Sequence, residues 1–469
     1  MKRTVRSLLV LVLLATLLAP SPSAAQAEGP TYFVQEGDTV IAIADRFGST
    51  VDAIAQANGL ADPSRIFPGM ELVIPGFPGV SGVLETRSLA FGENLESLRV
   101  RFGIPTEALV RLNRVIHPER VHAGEEWVVA IADEHEGSAE FRPAEPGRGL
   151  IQESAAAGVN PWQEAAFLEQ PYRRWFVPGG SMAWPAEAGP RLALPRPAVE
   201  IELEPTPVVQ GRTAVLRLRL SEPAEVEAMW DGRPLAFHAI EDGSRVALQG
   251  IHALADPGLQ DVELTLRTQD GLVVRYRQPV RVISGGYASD PVLYVPAETL
   301  DPALTGPEDE MIGSLLSQVT PDRLWEGAFE APSSGSYTSR FGSRRNYNNT
   351  GYLSYHSGLD FSGRTGVPIL APARGRVVFA GLLQVRGNTT FIDHGWGVFS
   401  GYLHQSEILV EVGQIVEPGD TVGLVGGTGR VTGPHLHWEV WVNGVAVDPI
   451  QWLEQVFPCR FQIGDGAPG

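Results

Sequence analysis

Cysteine and lysine are almost missing from this 469-residue chain: Cys459 is the only cysteine and Lys2 the only lysine. A single cysteine excludes intramolecular disulfides. Cys459 lies near the C-terminus and far from every motif, so it reads as inert. Long apolar runs are also scarce. Leu8 to Leu18 forms one, too short for a comfortable span, and no second stretch is long enough to cross a bilayer. Positive charge is in deficit, with a formal net charge of −19. Such a surface argues against nucleic acid as a partner and against electrostatic docking on an acidic membrane.

Lys2, Arg3 and Arg6 precede the Leu8 to Leu18 run, and Ala25-Gln26-Ala27 follows it with a small-x-small pattern. That order predicts a secretion signal over residues 1–27 and an exported protein of the cell envelope, periplasmic or extracellular. No cysteine stands at the expected cleavage site, which excludes lipid attachment there. The length exceeds what one hydrophobic core serves, so a multidomain, mainly β chain is expected.

Histidine is concentrated. Five of the ten fall between His356 and His437. The stretch opens with His356-Ser-Gly-Leu-Asp360, passes Gly401-Tyr-Leu-His404 and closes with His435-Leu-His437. Imidazole nitrogen and carboxylate oxygen suit zinc, and a catalytic zinc keeps three protein ligands and an open fourth position. Residues 435–441 read as a strand, which places His435 and His437 on one face, roughly 6–7 Å apart. One can ligate while its neighbour handles protons. A straight strand would hold His356 and Asp360 roughly 13 Å apart, so a bend is expected at Gly358. His394, flanked by Gly395 and Gly397, reads as a structural residue at a hairpin.

His-x3-Asp, a later Tyr-x-His and a closing His-x-His resemble the M23 (lysostaphin/LytM-like) zinc metallopeptidases. The flanks agree: Thr338-Ser-Arg-Phe-Gly342, Gly366-Val-Pro-Ile-Leu-Ala-Pro-Ala-Arg-Gly375 and Gly426-Gly-Thr-Gly429. The resemblance implies zinc bound by His356, Asp360 and His437, with His404 and His435 as the catalytic pair. It implies hydrolysis of peptide cross-links in peptidoglycan by a β-rich domain over 327–458. Asn346, Asn348 and Asn349 read as a plain surface loop, and Tyr352 or Tyr355 as possible oxyanion helpers.

Residues 31–76 read as strand–helix–helix–strand, with Asp38 or Thr39 as the first helix cap. The pattern resembles a LysM module, a binder of N-acetylglucosamine polymers. That resemblance places the glycan against Gly37, Asp38, Thr39 and the Asn58 to Ile66 region. Adding 55 maps Gly37 to Gly92, Phe47-Gly48 to Phe102-Gly103, Asn58 to Asn113 and Gly69 to Gly124. The second copy, 85–131, is therefore diverged, and a third, 145–186, is degenerate. Alternating strands around Asp231-Gly232 and Asp270-Gly271 predict an immunoglobulin-like sandwich over 198–285, read as a spacer. Met311, Leu315, Leu316 and Val319 predict a connecting helix within 308–326.

Three rival functions compete with this reading. Val410 to Gly423 looks like a lipoyl/biotinyl carrier hammerhead, which fails because such carriers modify a lysine. A glycan-binding adhesin does not account for the full set of metal-type residues. The remaining alternative is a non-enzymatic M23-like activator of cell-wall amidases.

Overall fold

The computed structural model describes residues 28–117, 121–132, 139–144, 148–157, 159, 161, 181–185, 192 and 194–458. The expected signal, Cys459 and the Pro178-Gly179 pair of the third copy lie outside the described residues. The chain divides into two compact units. The protein is multidomain and mainly β. No helix among the described residues is long and apolar enough to cross a membrane.

In the first unit, strand Thr31–Phe33, helices Val40–Phe47 and Val51–Ala57, and strand Glu71–Val73 follow one another. Of the two possible caps, Thr39 is the one used: its side chain accepts from the Ala42 amide. Asp38 instead accepts from the Gln35 amide and the Tyr32 hydroxyl, both at 2.7 Å. Val40, Ile43, Ala44 and Phe47 form the buried stripe of the first helix. Gly48 ends it at φ 62, a left-handed cap that favours glycine. Asn58 ties helix to strand: its amide donates to Ile54 O and Val73 O, and its oxygen accepts from the Val73 amide.

The elements recur at Val83–Ser88, Leu95–Phe102, Thr106–Leu112 and Glu126–Ile131. Asn113 repeats the Asn58 pattern 55 residues later, on Leu109 O, Val128 O and the Val128 amide. Thr31 pairs parallel with Val83, and the four strands of both copies form one sheet.

The second unit holds the other sheets. Strand Ala139–Pro143 pairs antiparallel with Ser181–Pro185, and helix Leu150–Ala157 falls between them in the sequence. A five-stranded and a four-stranded sheet then face each other across one core that includes Leu216, Leu218, Trp230, Leu264 and Leu266. Residues 88–97 and 119–126 belong to this unit. Phe91 and Ala123 enter the sandwich core. The Gly92 amide donates to Gln278 Oε1 at 2.7 Å, and Gln278 Nε2 donates to Glu93 O at 3.0 Å.

The sandwich reads from sequence as a spacer, yet it shares packing with the body that follows. Val215, Val246 and Leu248 join Trp325, Trp438 and Trp452 in one core cluster. Trp452 Nε1 donates to Thr213 Oγ1, and the Thr213 amide donates to Gln451 Oε1.

The connecting helix runs over Pro302–Leu316, earlier than the apolar spacing suggests. Asp301 caps it and Pro302 takes the first helical position, where a missing amide costs nothing. The buried positions are Glu308, Ile312 and Leu316, whereas Met311 and Val319 are 44% and 39% exposed. Burying Glu308 requires a partner. Arg386 supplies one: its guanidinium lies 2.7 Å from Glu308 Oε1, and Glu308 also accepts from the Val385 amide.

The last body is an eight-stranded sheet whose centre runs Leu359–Ser362, His435–Val442, Val398–Gln405, Gly387–Gly395. These strands are buried along most of their length because both faces are covered, by Trp325, Phe329 and Trp452 on one side and Ile312 and Leu316 on the other.

Candidate functional site

The central strands bring the metal-type residues together by register. Asp360 and His437 are direct cross-strand partners, and Leu403 pairs with His437, which places His404 at the next position. The chain breaks from strand geometry between Ser354–Tyr355 and Leu359–Ser362. That break lets His356 fold back, so its Nε2 lies 3.0 Å from Asp360 Oδ1. Gly358 sits inside it. A Cβ there would meet Trp438 O at 2.4 Å and His437 Nε2 at 2.9 Å, so only glycine fits.

His356 Nε2, Asp360 Oδ1 and His437 Nδ1 converge: Nδ1 stands 2.8 Å from the carboxylate oxygen and 2.9 Å from Nε2. All three side chains are buried, and their donor atoms lie within 4.8 Å of one another. The outer atoms are also held. His356 Nδ1 faces Arg340 O at 2.9 Å, which leaves Nε2 as the ligating nitrogen. His437 Nε2 meets Glu439 Oε1 at 3.1 Å, which turns Nδ1 inward. Glu439 in turn accepts from Ser357 Oγ at 2.5 Å and Trp441 Nε1 at 2.8 Å. Two nitrogens and one oxygen, each oriented by a second partner, fit a zinc ion.

His404 and His435 flank this group, with ring centroids 5.2 Å apart. His404 adopts φ +62, a left-handed conformation costly for a non-glycine residue and typical of functional positions. Its Nδ1 donates to Thr428 O at 2.8 Å. His435 Nδ1 donates to Gly433 O at 2.8 Å, and its Nε2 lies 3.7 Å from Asp360 Oδ1. Each histidine therefore turns an acceptor Nε2 toward the site.

The electrostatics separate the groups. Burial alone would raise the Asp360 carboxyl, but hydrogen bonds from His356 and His437 hold it well below the usual range. Burial opposes a proton on His437, yet Asp360 and Glu439 outweigh it and raise the imidazole to about 9. Burial would likewise raise Glu439, but His437 and Arg386 bring it down to about 2. His404 is pushed down to about 3 by burial and by the neighbouring His437 and His435. Two carboxylates that would hold a proton on His437 are equally suited to balance a dication.

Sequence reading missed Glu439. It shares the parity of His435 and His437 on the strand, and that parity was the available signal. His394 sits away from the cluster, fully buried between Arg374 O at 2.9 Å and Ser400 Oγ at 2.8 Å. Tyr355 is half-buried against Phe341 and His252. The Tyr352 hydroxyl donates to Asp290 O. The loop around Asn346 is more than plain surface: Asn346 is buried, and Asn348 bonds both the amide and carbonyl of Val295. In the first unit, Gly37 and Thr39 are exposed at the turn, and the Asn58 to Ile66 stretch is largely exposed.

The profile of peptidase family M23 matches residues 354–449, and that of the LysM domain matches residues 32–75. The chain is 42% identical over 112 residues to the peptidoglycan DD-endopeptidase ShyC of Vibrio cholerae, covering 24% of this chain and 26% of the relative. It is 41% identical over 114 residues to ShyA of the same organism, again 24% of this chain and 26% of the relative. The match thus spans about a quarter of the length of these curated relatives. Among solved structures, an M23 peptidase from Pseudomonas aeruginosa is 31% identical, with a TM-score of 0.41, over 53% of this chain and 94% of that one. Through residues 354–449 the chain belongs to peptidase family M23, and it carries a LysM domain at 32–75.

Proposed function

We propose that this chain is an exported zinc metalloendopeptidase that hydrolyses the peptide cross-links of bacterial peptidoglycan, delivered to the wall by its LysM domain. The observation that carries the reading is the convergence of His356 Nε2, Asp360 Oδ1 and His437 Nδ1 at one point of a cleft of about 550 Å³. The curated relatives are peptidoglycan DD-endopeptidases, which supports the substrate class.

His356, Asp360 and His437 would hold the zinc. Bound there, zinc supplies a Lewis acid to the scissile carbonyl and lowers the pKa of a water. His404 and His435 do the proton work. Thr428 O and Gly433 O fix their Nδ1 protons, so each presents an Nε2 lone pair that can accept a proton from the attacking water. Once protonated, the same nitrogen donates to the leaving amine or to the developing oxyanion.

The test is release of soluble muropeptides from purified peptidoglycan by the full chain. Release should stop on chelation and return with added zinc. Release that persists unchanged under chelator sinks the metallopeptidase reading. No release, together with stimulation of a cell-wall amidase, would favour the non-enzymatic activator.

A further inference from the structure

Three arginines line the cleft beside the histidine cluster: Arg345, Arg386 and Arg430. The protein supplies carboxylates to two of them. Arg345 Nε is 3.2 Å from Asp290, and Arg386 Nη1 is 2.7 Å from Glu308 and 3.0 Å from Asp309. Arg430 differs: among the described residues no carboxylate lies within ion-pair distance of it. It is nonetheless fixed. Its amide donates to Val385 O at 2.8 Å, its Nη1 donates to Thr299 O at 3.0 Å, and its guanidinium stacks 4.6 Å from the centroid of Tyr347.

Stacking uses the face of the guanidinium and the Thr299 bond uses one edge. The remaining in-plane N–H groups stay available, in the fork geometry that matches a carboxylate. Arg430 is half-buried, so a charge brought to it is partly shielded from water. It also lies on the loop that leads directly into His435 and His437, which ties its position to the reacting centre.

We propose that Arg430 is a specificity-determining residue that binds a free carboxylate of the peptide substrate near the scissile bond. This rests on the peptidase reading above for the identity of the substrate, but not for the existence of the carboxylate subsite.

The test uses a cross-linked stem-peptide dimer with free carboxylates and the same dimer with its carboxylates amidated. Calorimetry on the chelator-treated full chain reads binding without turnover, and kinetics on the zinc-loaded full chain read KM and kcat. Wild type should prefer the free acid by on the order of 10–100-fold, mostly in binding and KM. Arg430→Gln should lose that preference while binding the amidated dimer as wild type does, which also reports an intact fold. Arg430→Lys, which keeps the charge and loses the fork, should fall between. A wild type that binds acid and amide equally overturns the proposal. So does an Arg430→Gln variant that keeps the preference, or that weakens both dimers alike. Acid-selective binding with no cleavage of either dimer would uphold the subsite and reject the peptidase reading instead.

Discussion

Each of the four site histidines has one ring nitrogen committed to a fixed partner, so only the other is left for chemistry. For His356 and His437 that free nitrogen points at Asp360, and for His404 and His435 it points at the space beside it. Removing a ligand from a three-ligand site should empty it, whereas removing a proton-handling neighbour should not. His437→Ala is expected to purify with little zinc and no activity. His404→Ala and His435→Ala should keep their zinc and lose on the order of 10²–10⁴-fold in rate. Zinc content measured beside hydrolysis rate decides this; metal loss in His435→Ala with retention in His437→Ala would reverse the assignments. Glu439 touches the candidate ligand set through His437, so its effect on a metal held there would pass through that imidazole. Glu439→Gln should therefore weaken zinc affinity by about 10–100-fold, read by competition with a chromophoric chelator. An unchanged affinity would leave Glu439 with a packing role alone. The five motif residues were legible because their spacing is short and their types are rare. Arg340 O, Thr428 O and Gly433 O were not, since a backbone carbonyl has no signature in the sequence.

At the scale of elements, the central strands bury groups that titrate. His394 is the penultimate residue of the strand Gly387–Gly395, where glycine spacing suggested the turn itself; the turn follows at Trp396 and Gly397, both at positive φ. Burial lowers the His394 imidazole to about 4, against about 6.5 in an unfolded chain. Between those values the unfolded state binds the extra proton. The contribution is intact above about pH 6.5 and is lost as pH falls through about 4. Wild type should lose up to about 3 kcal/mol more than His394→Asn over that window. Denaturant unfolding of both proteins at several pH values checks it, and parallel pH profiles would contradict it. The helix Pro302–Leu316 shows why element boundaries were harder to read. Its buried stripe contains a glutamate, so a search for apolar periodicity locks onto Met311 and Val319 instead. Only Arg386, 78 residues later, explains Glu308.

Across the whole molecule, the two well-formed repeats differ in what surrounds them. The first leaves Gly37, Thr39 and the stretch after Asn58 largely open. In the second, the loop equivalent to Gly37 is Gly92, which is closed in by Leu192, Leu194 and Ile201 and bonded to Gln278. Wall binding should therefore depend on residues 31–76. In a His437→Ala background, so that the wall is not consumed, deletion of 31–76 should abolish most co-sedimentation with insoluble peptidoglycan. Retention of full binding would shift the glycan site elsewhere. The repeat itself was visible as a 55-residue echo, because Asn58 and Asn113 make the same three bonds. The joint between sandwich and peptidase body was not visible, since Thr213 meets Gln451 and Trp452 across some 239 positions of sequence. That joint bears on how such genes can be cut and rejoined. A recombination event at residue 354, where the family match begins, would strand Val215, Val246 and Leu248 from their tryptophans and leave Arg386 without Glu308. The heritable cassette here is the sandwich, the connecting helix and the peptidase sheet together, whereas the first repeat, joined to the second among the described residues by the Thr31–Val83 pairing and by exposed contacts such as Arg46–Thr86 and Arg114–Asp45, is the piece that can be exchanged.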